Sequence, residues 1–509
     1  MDESSTSSYE NLSGKALNCV FAALMMAMFV GSLDQTITST AMASIVGELN
    51  GVDHMVWVTT AYMLTSTITM PIYGKLGDLF GRKHLFLFAM TVFTFGSTVT
   101  AAAPTMGAFV VGRAIQGLGG GGLMLLSQSI VADIFPPKQR GKFMGIMGAA
   151  FGISTVVGPL FGGLITDAFS WRWCFWINVP LSIAAIVMAA LFLPSYGTSD
   201  YTMADVDIAG MATLSVATSC LVLALSLGGN SYAWDSPIII GLFVVAVVMA
   251  SCFVVIERRA KEPLMPLHLF KNRNFILCTV TGMMLMLAMM GITSYMPTYL
   301  QIVNGLSASV AGCLLIPMTL CLMVASTASG YLVAKVNRTK MFPLVSCAIC
   351  AVALCVLSAI TVDSSLVFIC VVLAVLGLGI GLGQQILVLI VQNEFSSSIV
   401  GTATAGNNFF REIGGTLGSS IVGSVFTANL AHALSTNLAS FGGVSVLGFD
   451  VNSISPTLVR GLSDTLQQAV QLSYNEALTP VYLLLVPMLA ICAVLMVLCK
   501  NKPLSDTQD

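Results

Sequence analysis

The chain alternates long apolar runs with short polar joints fourteen times, more than any water-soluble fold of this length can bury. The runs cover roughly 16–46, 54–73, 85–103, 105–132, 143–166, 172–193, 208–228, 237–256, 275–298, 309–333, 341–361, 366–391, 401–428 and 480–499. About 20 apolar residues suffice for an α-helix to cross the hydrocarbon of a bilayer. Backbone groups in lipid must bond internally. The expectation is therefore an all-α polytopic membrane protein with 14 transmembrane helices. Composition agrees: 56% of the 509 residues are apolar and 9% charged, where ordinary globular domains carry about 25% charged residues. Mean hydropathy is +0.90. Soluble enzymes and nucleic-acid binders are excluded first. The 13 cysteines lie mostly inside apolar runs, where they are small hydrophobes and not a disulfide framework. The four histidines are scattered, so no metal site is expected. GLGGGG at 117–122 lacks the Lys-Ser/Thr of a phosphate loop and lies inside a run.

Basic residues orient the chain. With both termini placed in the cytoplasm, the inner segments hold Lys15, Lys75, Arg82, Lys83, Lys138, Arg140, Lys142, Arg258, Arg259, Lys261, Lys271, Arg273, Lys335, Arg338, Lys340, Lys500 and Lys502. The outer segments hold only Arg172 and Arg460, while Arg113 and Arg411 fall inside runs. The acidic, polar start lacks a signal peptide's basic leader and reads as a disordered cytoplasmic tail, 1–15.

Half of the chain echoes the other half. At an offset of 260, Gly117, Gly119 and Gly121 land on Gly377, Gly379 and Gly381; Gly141 lands on Gly401 and Gly158 on Gly418. At 256, Gly74 and Arg82 land on Gly330 and Arg338. The division expected is a six-helix bundle at 16–193, two inserted helices with a basic linker at 194–274, and a second six-helix bundle at 275–499, with a cytoplasmic tail at 500–509. Parallel repeats of this kind enclose a midplane cavity opened to each side in turn. The outer segment 429–479 is read as a long loop in which Leu458, Leu462, Leu466 and Val470 mark a short amphipathic helix.

Four segments carry motifs. GKLGDLFGRK, 74–83, joins two helices in few residues: Gly74 and Gly81 permit close approach and a tight turn, Asp78 is a candidate cap, and Arg82 and Lys83 are its candidate partners. VVGRAIQGLGGGG spans 110–122. STVVGPLFGG, 154–163, places Gly158, Gly162 and Gly163 on a small-residue surface and Pro159 at a bend. LDQTITSTAMASI spans 33–45. In this order the four resemble the signatures of the major facilitator superfamily, and together those of its fourteen-helix drug:proton antiporters of the EmrB/QacA type. Leu79, Ser154 and Ala43 depart from the usual pattern. The resemblance implies the major facilitator fold, two six-helix halves plus two inserted helices.

Charges in hydrocarbon are costly and mark function by default. Asp34 and Arg113 lie at similar depth and are the candidate proton-coupling pair; Arg411 and Glu412, near the midplane, are candidates for substrate or proton handling. Gly74, Asp78, Gly81, Arg82, Gly158, Pro159, Gly162 and Gly163 are the candidate gating residues. With 29 Met and 27 Phe the lining is suited to varied apolar ligands. The reading is a proton-coupled efflux antiporter, not an enzyme, exporting amphipathic small molecules such as drugs and toxins by alternating access. It is driven by the proton motive force without cofactor or nucleic acid, and works as a monomer in the plasma membrane. Lipid export on the same scaffold, or nutrient symport, are the alternatives.

Overall fold

The computed structural model describes residues 14–49, 51, 54–195, 202, 205–229, 231–336, 338–439 and 456–504. Most of the expected tail 1–15, the end of the tail 500–509 and the middle of segment 429–479 lie outside the described residues.

The long helices, in chain order, are α1 (Gly14–Glu48), α2 (Met55–Phe80), α3 (Arg82–Ala101), α4 (Met106–Ile134), α5 (Pro137–Ala168), α6 (Asn178–Phe192), α7 (Ile208–Leu227), α8 (Pro237–Glu257), α9 (Arg273–Ile302), α10 (Ile316–Val336), α11 (Met341–Ser358), α12 (Leu366–Gln392), α13 (Val400–Asn437) and α14 (Asp464–Val497). Among the described residues, 13 helical stretches are long and apolar enough to cross a membrane. The helix outside that set is α2, whose last turns carry Lys75 and Asp78. Several helices start on a polar side chain that accepts from a first-turn N–H: Thr105, Asp207, Ser236, Asn272 and Ser365.

Two sequence expectations shift. Residues 74–80 are not a loop: α2 runs on to Phe80, and Gly81, at φ +86°, alone separates it from α3. Only glycine takes that backbone conformation freely. At the other face, α13 extends to Asn437 and α14 begins at Asp464, so helix fills much of 429–479. The expected amphipathic helix is broken there: exposed Leu458 sits in a separate short helix, Pro456–Arg460, Leu462 lies in the break and packs on the core, and Leu466 and buried Val470 belong to the last helix.

The two halves are built alike. In one, α4 packs on α2 and α3, and α1 on α5; in the other, α12 packs on α10 and α11, and α9 on α13. The register repeats as well. A Cβ on Gly117 would strike the Tyr62 carbonyl, and one on Gly121 the Ser66 carbonyl; on Gly377 and Gly381 it would strike those of Met318 and Leu322. The partners differ by 256 and the glycines by 260, the two offsets of the sequence repeat. The halves meet where α5 packs on α10 and α2 on α13. The inserted α7 rests on both α2 and α13, with α8 outside it. The segment after α8 is tied back by Lys75 to Glu262 (2.8 Å) and Lys261 to Asp205 (2.8 Å). Lys261 and Thr202 hold the Asp205 carboxyl down at about 2.

The matched register makes a test. Gly121→Leu and Gly381→Leu should each destabilise the folded protein by about 1–3 kcal/mol or more, as overpacking against rigid backbone does. Thermal unfolding followed by size-exclusion chromatography should show both losses; a wild-type melting temperature for either would refute the contact.

Candidate functional site

Asp34, 0% exposed, sits in the C-terminal half of α1. Arg113, on α4 and 79 residues further along the chain, pairs with its Oδ2. Gln116 Nε2 donates to Asp34 Oδ1 (2.6 Å) and to Ser97 Oγ (2.7 Å), and Asn178 Nδ2 donates to Asp34 Oδ1 (2.9 Å). Arg113 is also satisfied by Gln116 Oε1 (2.7 Å) and the Val58 carbonyl (3.2 Å), and its guanidinium lies 4.5 Å from the centre of the Tyr62 ring. Spacing of i, i+3 puts Arg113 and Gln116 on one face of α4. The carboxylate is thus held in low dielectric by three donors from α4 and α6. Sequence reasoning paired Asp34 with Arg113 by depth but gave no role to Gln116, Asn178, Ser97 or Tyr62. The available signal was an amide inside an apolar run, Asn178 in WINVP.

Asp34 does not face the central cavity; its neighbour Gln35 does. That cavity lies between the halves, holds about 130 Å³, and is lined from both sides: Ser32, Gln35, Tyr62, Ser66 and Met124 from the first, Met286, Gln384, Gln385, Arg411 and Glu412 from the second. Drug-sized pockets hold roughly 300–1,000 Å³, so helices must part to admit such a ligand. The two sequence-predicted sites are separate, and Tyr62 joins them: its ring both lines the cavity and backs Arg113. A ligand in the cavity therefore does not compete directly for the Asp34 carboxylate.

The bundle is closed at the end that bears the basic segments. Asp78 accepts from the backbone N–H groups of Gly401 (3.1 Å) and Thr402 (2.6 Å) and from Thr402 Oγ1 (2.7 Å). It therefore caps α13, in the other half, and not the next helix as its spacing suggested. The first turn of a helix is a ready anion site. Arg82 holds Asp78 in place (2.7 Å) and also binds Asp133 and the Ser129 carbonyl (2.8 Å). Lys83 donates to the Ala190 carbonyl in the last turn of α6 (2.9 Å). Gly74 lies against Gly401 and Ala405, and its echo Gly330 lies against Gly141 and Gly145, so both crossings rest on glycine. Nearer the cavity, Asn408 Nδ2 donates to Gln128 Oε1 (2.7 Å) across the halves.

The third motif seals α5 to α1. Gly158 lies against Thr36 and Gly162 against Thr40 and Ile37, beside Pro159 inside the helix. Gly163 faces open space, so the expectation that it belongs to this seam is corrected: the Cβ direction one residue past Gly162 points away from α1.

The comparisons with known proteins bear on these features. The family model described as Major Facilitator Superfamily matches residues 24–419. The chain belongs to that superfamily of transporters. It is 37% identical to the multidrug transporter protein MdtP of Bacillus subtilis over 447 residues, 88% of this chain and 82% of that protein. It is 31% identical to the efflux pump bfoC of Aspergillus brasiliensis over 487 residues, 94% and 86% of the two chains. The solved structure of the proton:xylose symporter XylE shares the fold, with a TM-score of 0.59 at 14% identity, covering 96% of this chain and 98% of that one. The protein is a polytopic helical membrane transporter whose relatives include multidrug and efflux pumps.

Two substitutions test the closed end and the seam. Asp78→Asn removes a charge from the α13 N-terminus, worth about 0.3–2 kcal/mol. Spin labels on α2 and α13 near that end should show longer, broader distances in Asp78→Asn than in wild type; an unchanged distribution would refute the latch. Gly158→Leu should abolish transport or folding while Gly163→Leu keeps both, read by transport assay and expression level. Equal behaviour of the two would remove the seam from the account.

Proposed function

We propose that the protein is a proton-driven exporter of amphipathic small molecules, an antiporter of the fourteen-helix EmrB/QacA type, working as a monomer in the plasma membrane. Counting α2 as a span rests on its 26 residues and its packing against α4. An even count puts both termini on one side, and the basic residues assign that side to the cytoplasm. The closed end is then cytoplasmic and the protein faces outward.

The observation that carries the reading is the buried Asp34, bound by Arg113, Gln116 and Asn178 one aromatic ring away from the cavity. Arginine stays charged, so it acts by changing its distance from the carboxylate. With the pair intact, Arg113, Gln116 and Asn178 all donate to Asp34, so the carboxyl acts only as an acceptor. Movement of Tyr62 when substrate enters or leaves shifts the guanidinium stacked on it, and Asp34 takes up a proton as the attraction weakens. Restoring the pair on the cytoplasmic-facing side releases that proton inward. Neutralising Asp34 also frees Arg113, whose remaining partners are the Val58 carbonyl and Gln116. Opening at the cytoplasmic end breaks the Asp78 cap and the glycine crossings together, because both hold the same pair of halves.

Asp34→Asn keeps the shape and cannot be charged. The purified variant should fold, bind substrate, and show no substrate-induced proton release, and in inverted vesicles it should lose transport driven by a pH gradient. Wild-type transport of a neutral amphipathic dye such as N-phenyl-1-naphthylamine should collapse with an uncoupler. Undiminished proton release from Asp34→Asn would move coupling elsewhere, with Glu412 next in line.

A further inference from the structure

The chain contains two arginines buried in the membrane, and it treats them oppositely. Arg113 is bonded through Nε to the Val58 carbonyl and through Nη1 to Asp34 and Gln116. Arg411, 3% exposed, has Nε and Nη1 without any hydrogen-bond partner, and its Nη2 reaches only the Met124 thioether at 3.4 Å. Glu412 follows it on α13 and lines the same cavity, yet the two form no ion pair, since successive helical residues point about 100° apart. An unpaired guanidinium in low dielectric is a large cost that native structures do not carry without use. Arg411 lies eleven residues into α13, about 16 Å from its start and so near the midplane. Its counterpart at the 260 offset is Phe151, which lines the cavity from the other half. The cation is therefore an addition at one of two equivalent wall positions and not part of the repeated packing.

We infer that the cavity is a site for small amphipathic monoanions, in which the free N–H groups of Arg411 receive a sulfonate, carboxylate or phenolate oxygen and the methionine walls take the apolar body. Met28, Met63, Met70, Met124, Met286 and Met290 supply those walls. Thioether side chains adapt to differently shaped apolar ligands. Guanidinium bonds to an anion are charge-assisted and directional, which neither the glutamines nor Tyr62 provide. Glu412 sets the other limit: a second negative charge on the ligand meets a carboxylate, so dianions are refused. A lone cation meets Arg411 and is refused unless it engages Glu412. This inference rests on the transport reading of the cavity and adds the charge of the cargo to it.

The test uses a matched pair of probes, 8-anilinonaphthalene-1-sulfonate and N-phenyl-1-naphthylamine, which share a body and differ by the sulfonate. Binding is measured on purified full-length protein in nanodiscs, with empty nanodiscs subtracted and no ion gradient. Wild type should bind the sulfonate about tenfold or more tightly than the neutral probe, the size of one charge-assisted bond. Arg411→Gln should erase that preference and leave the neutral probe's affinity unchanged, Arg411→Lys should keep part of it, and Glu412→Gln should strengthen it. Arg411→Gln should also raise the melting temperature of the ligand-free protein, because it removes an unpaired buried charge. A preference that survives Arg411→Gln, or a fall in melting temperature with equal loss of both probes, would overturn the site and make Arg411 a packing residue. Gradient-driven export is measured separately in vesicles. Sulfonate selectivity without export would sink the transport reading and spare the site, and export with no sulfonate preference would do the reverse.

Discussion

Helices in a bilayer gain little from hiding apolar surface from one another, since lipid is as apolar as they are, so their association rests on close packing and polar contacts. Here close packing means backbone against backbone at glycine. Gly117 and Gly121 lie on the carbonyls of α2, and Gly377 and Gly381 on those of α10. Gly74 and Gly330 do the same between the halves. The internal contacts make each half a rigid unit. The crossings between halves run along α5 against α10, from Gly141 inward to Gly152, and along α2 against α13 at Gly74. The same device thus serves permanence in one place and reversibility in another, and the difference lies in what else holds the contact. Inside a half, many further side chains do so. Between halves, the Asp78 cap and a few amide bonds do.

Polar chemistry is laid over this repeat unevenly. The position equivalent to Arg113 is Leu373, the one equivalent to Asp78 is Ala334, and the one equivalent to Arg411 is Phe151. One half therefore holds the satisfied carboxylate–guanidinium cluster and the charged latch, and the other holds the open guanidinium. The packing is thus repeated between the two bundles, while the buried charges are not. Asp34 lies behind the cavity wall and Arg411 in it, with Tyr62 lining the cavity and stacked on Arg113 between them.

The family membership extends this picture without naming a cargo. Relatives at 31% and 37% identity bear names of multidrug or efflux pumps. A symporter of xylose shares the fold at 14% identity, so the fold alone does not decide direction or substrate.

Much was legible in the sequence because membrane insertion is a one-dimensional constraint. Apolar length marked the helices, basic residues proposed a side, and glycines recurring at fixed offsets announced the repeat that the carbonyl contacts of Gly121 and Gly381 display. Asp34, Arg113, Arg411 and Glu412 stood out because a charge in an apolar run is conspicuous on its own. Where the chain turns was less legible: residues 74–80 read as a loop because they are polar, yet they stay helical because the other half covers them. Partnership was beyond reach. That Asp78 caps a helix 323 residues later, that Asn178 completes the Asp34 cluster, that Gly163 points away from the seam while Gly162 points into it, and that Arg113 is satisfied while Arg411 is not, all depend on how helices rotate about their axes when packed. Apolar periodicity sets which segments enter the bilayer, but the rotation of each helix is set by its neighbours, and so only the tertiary structure decided which buried charge is paired and which is open.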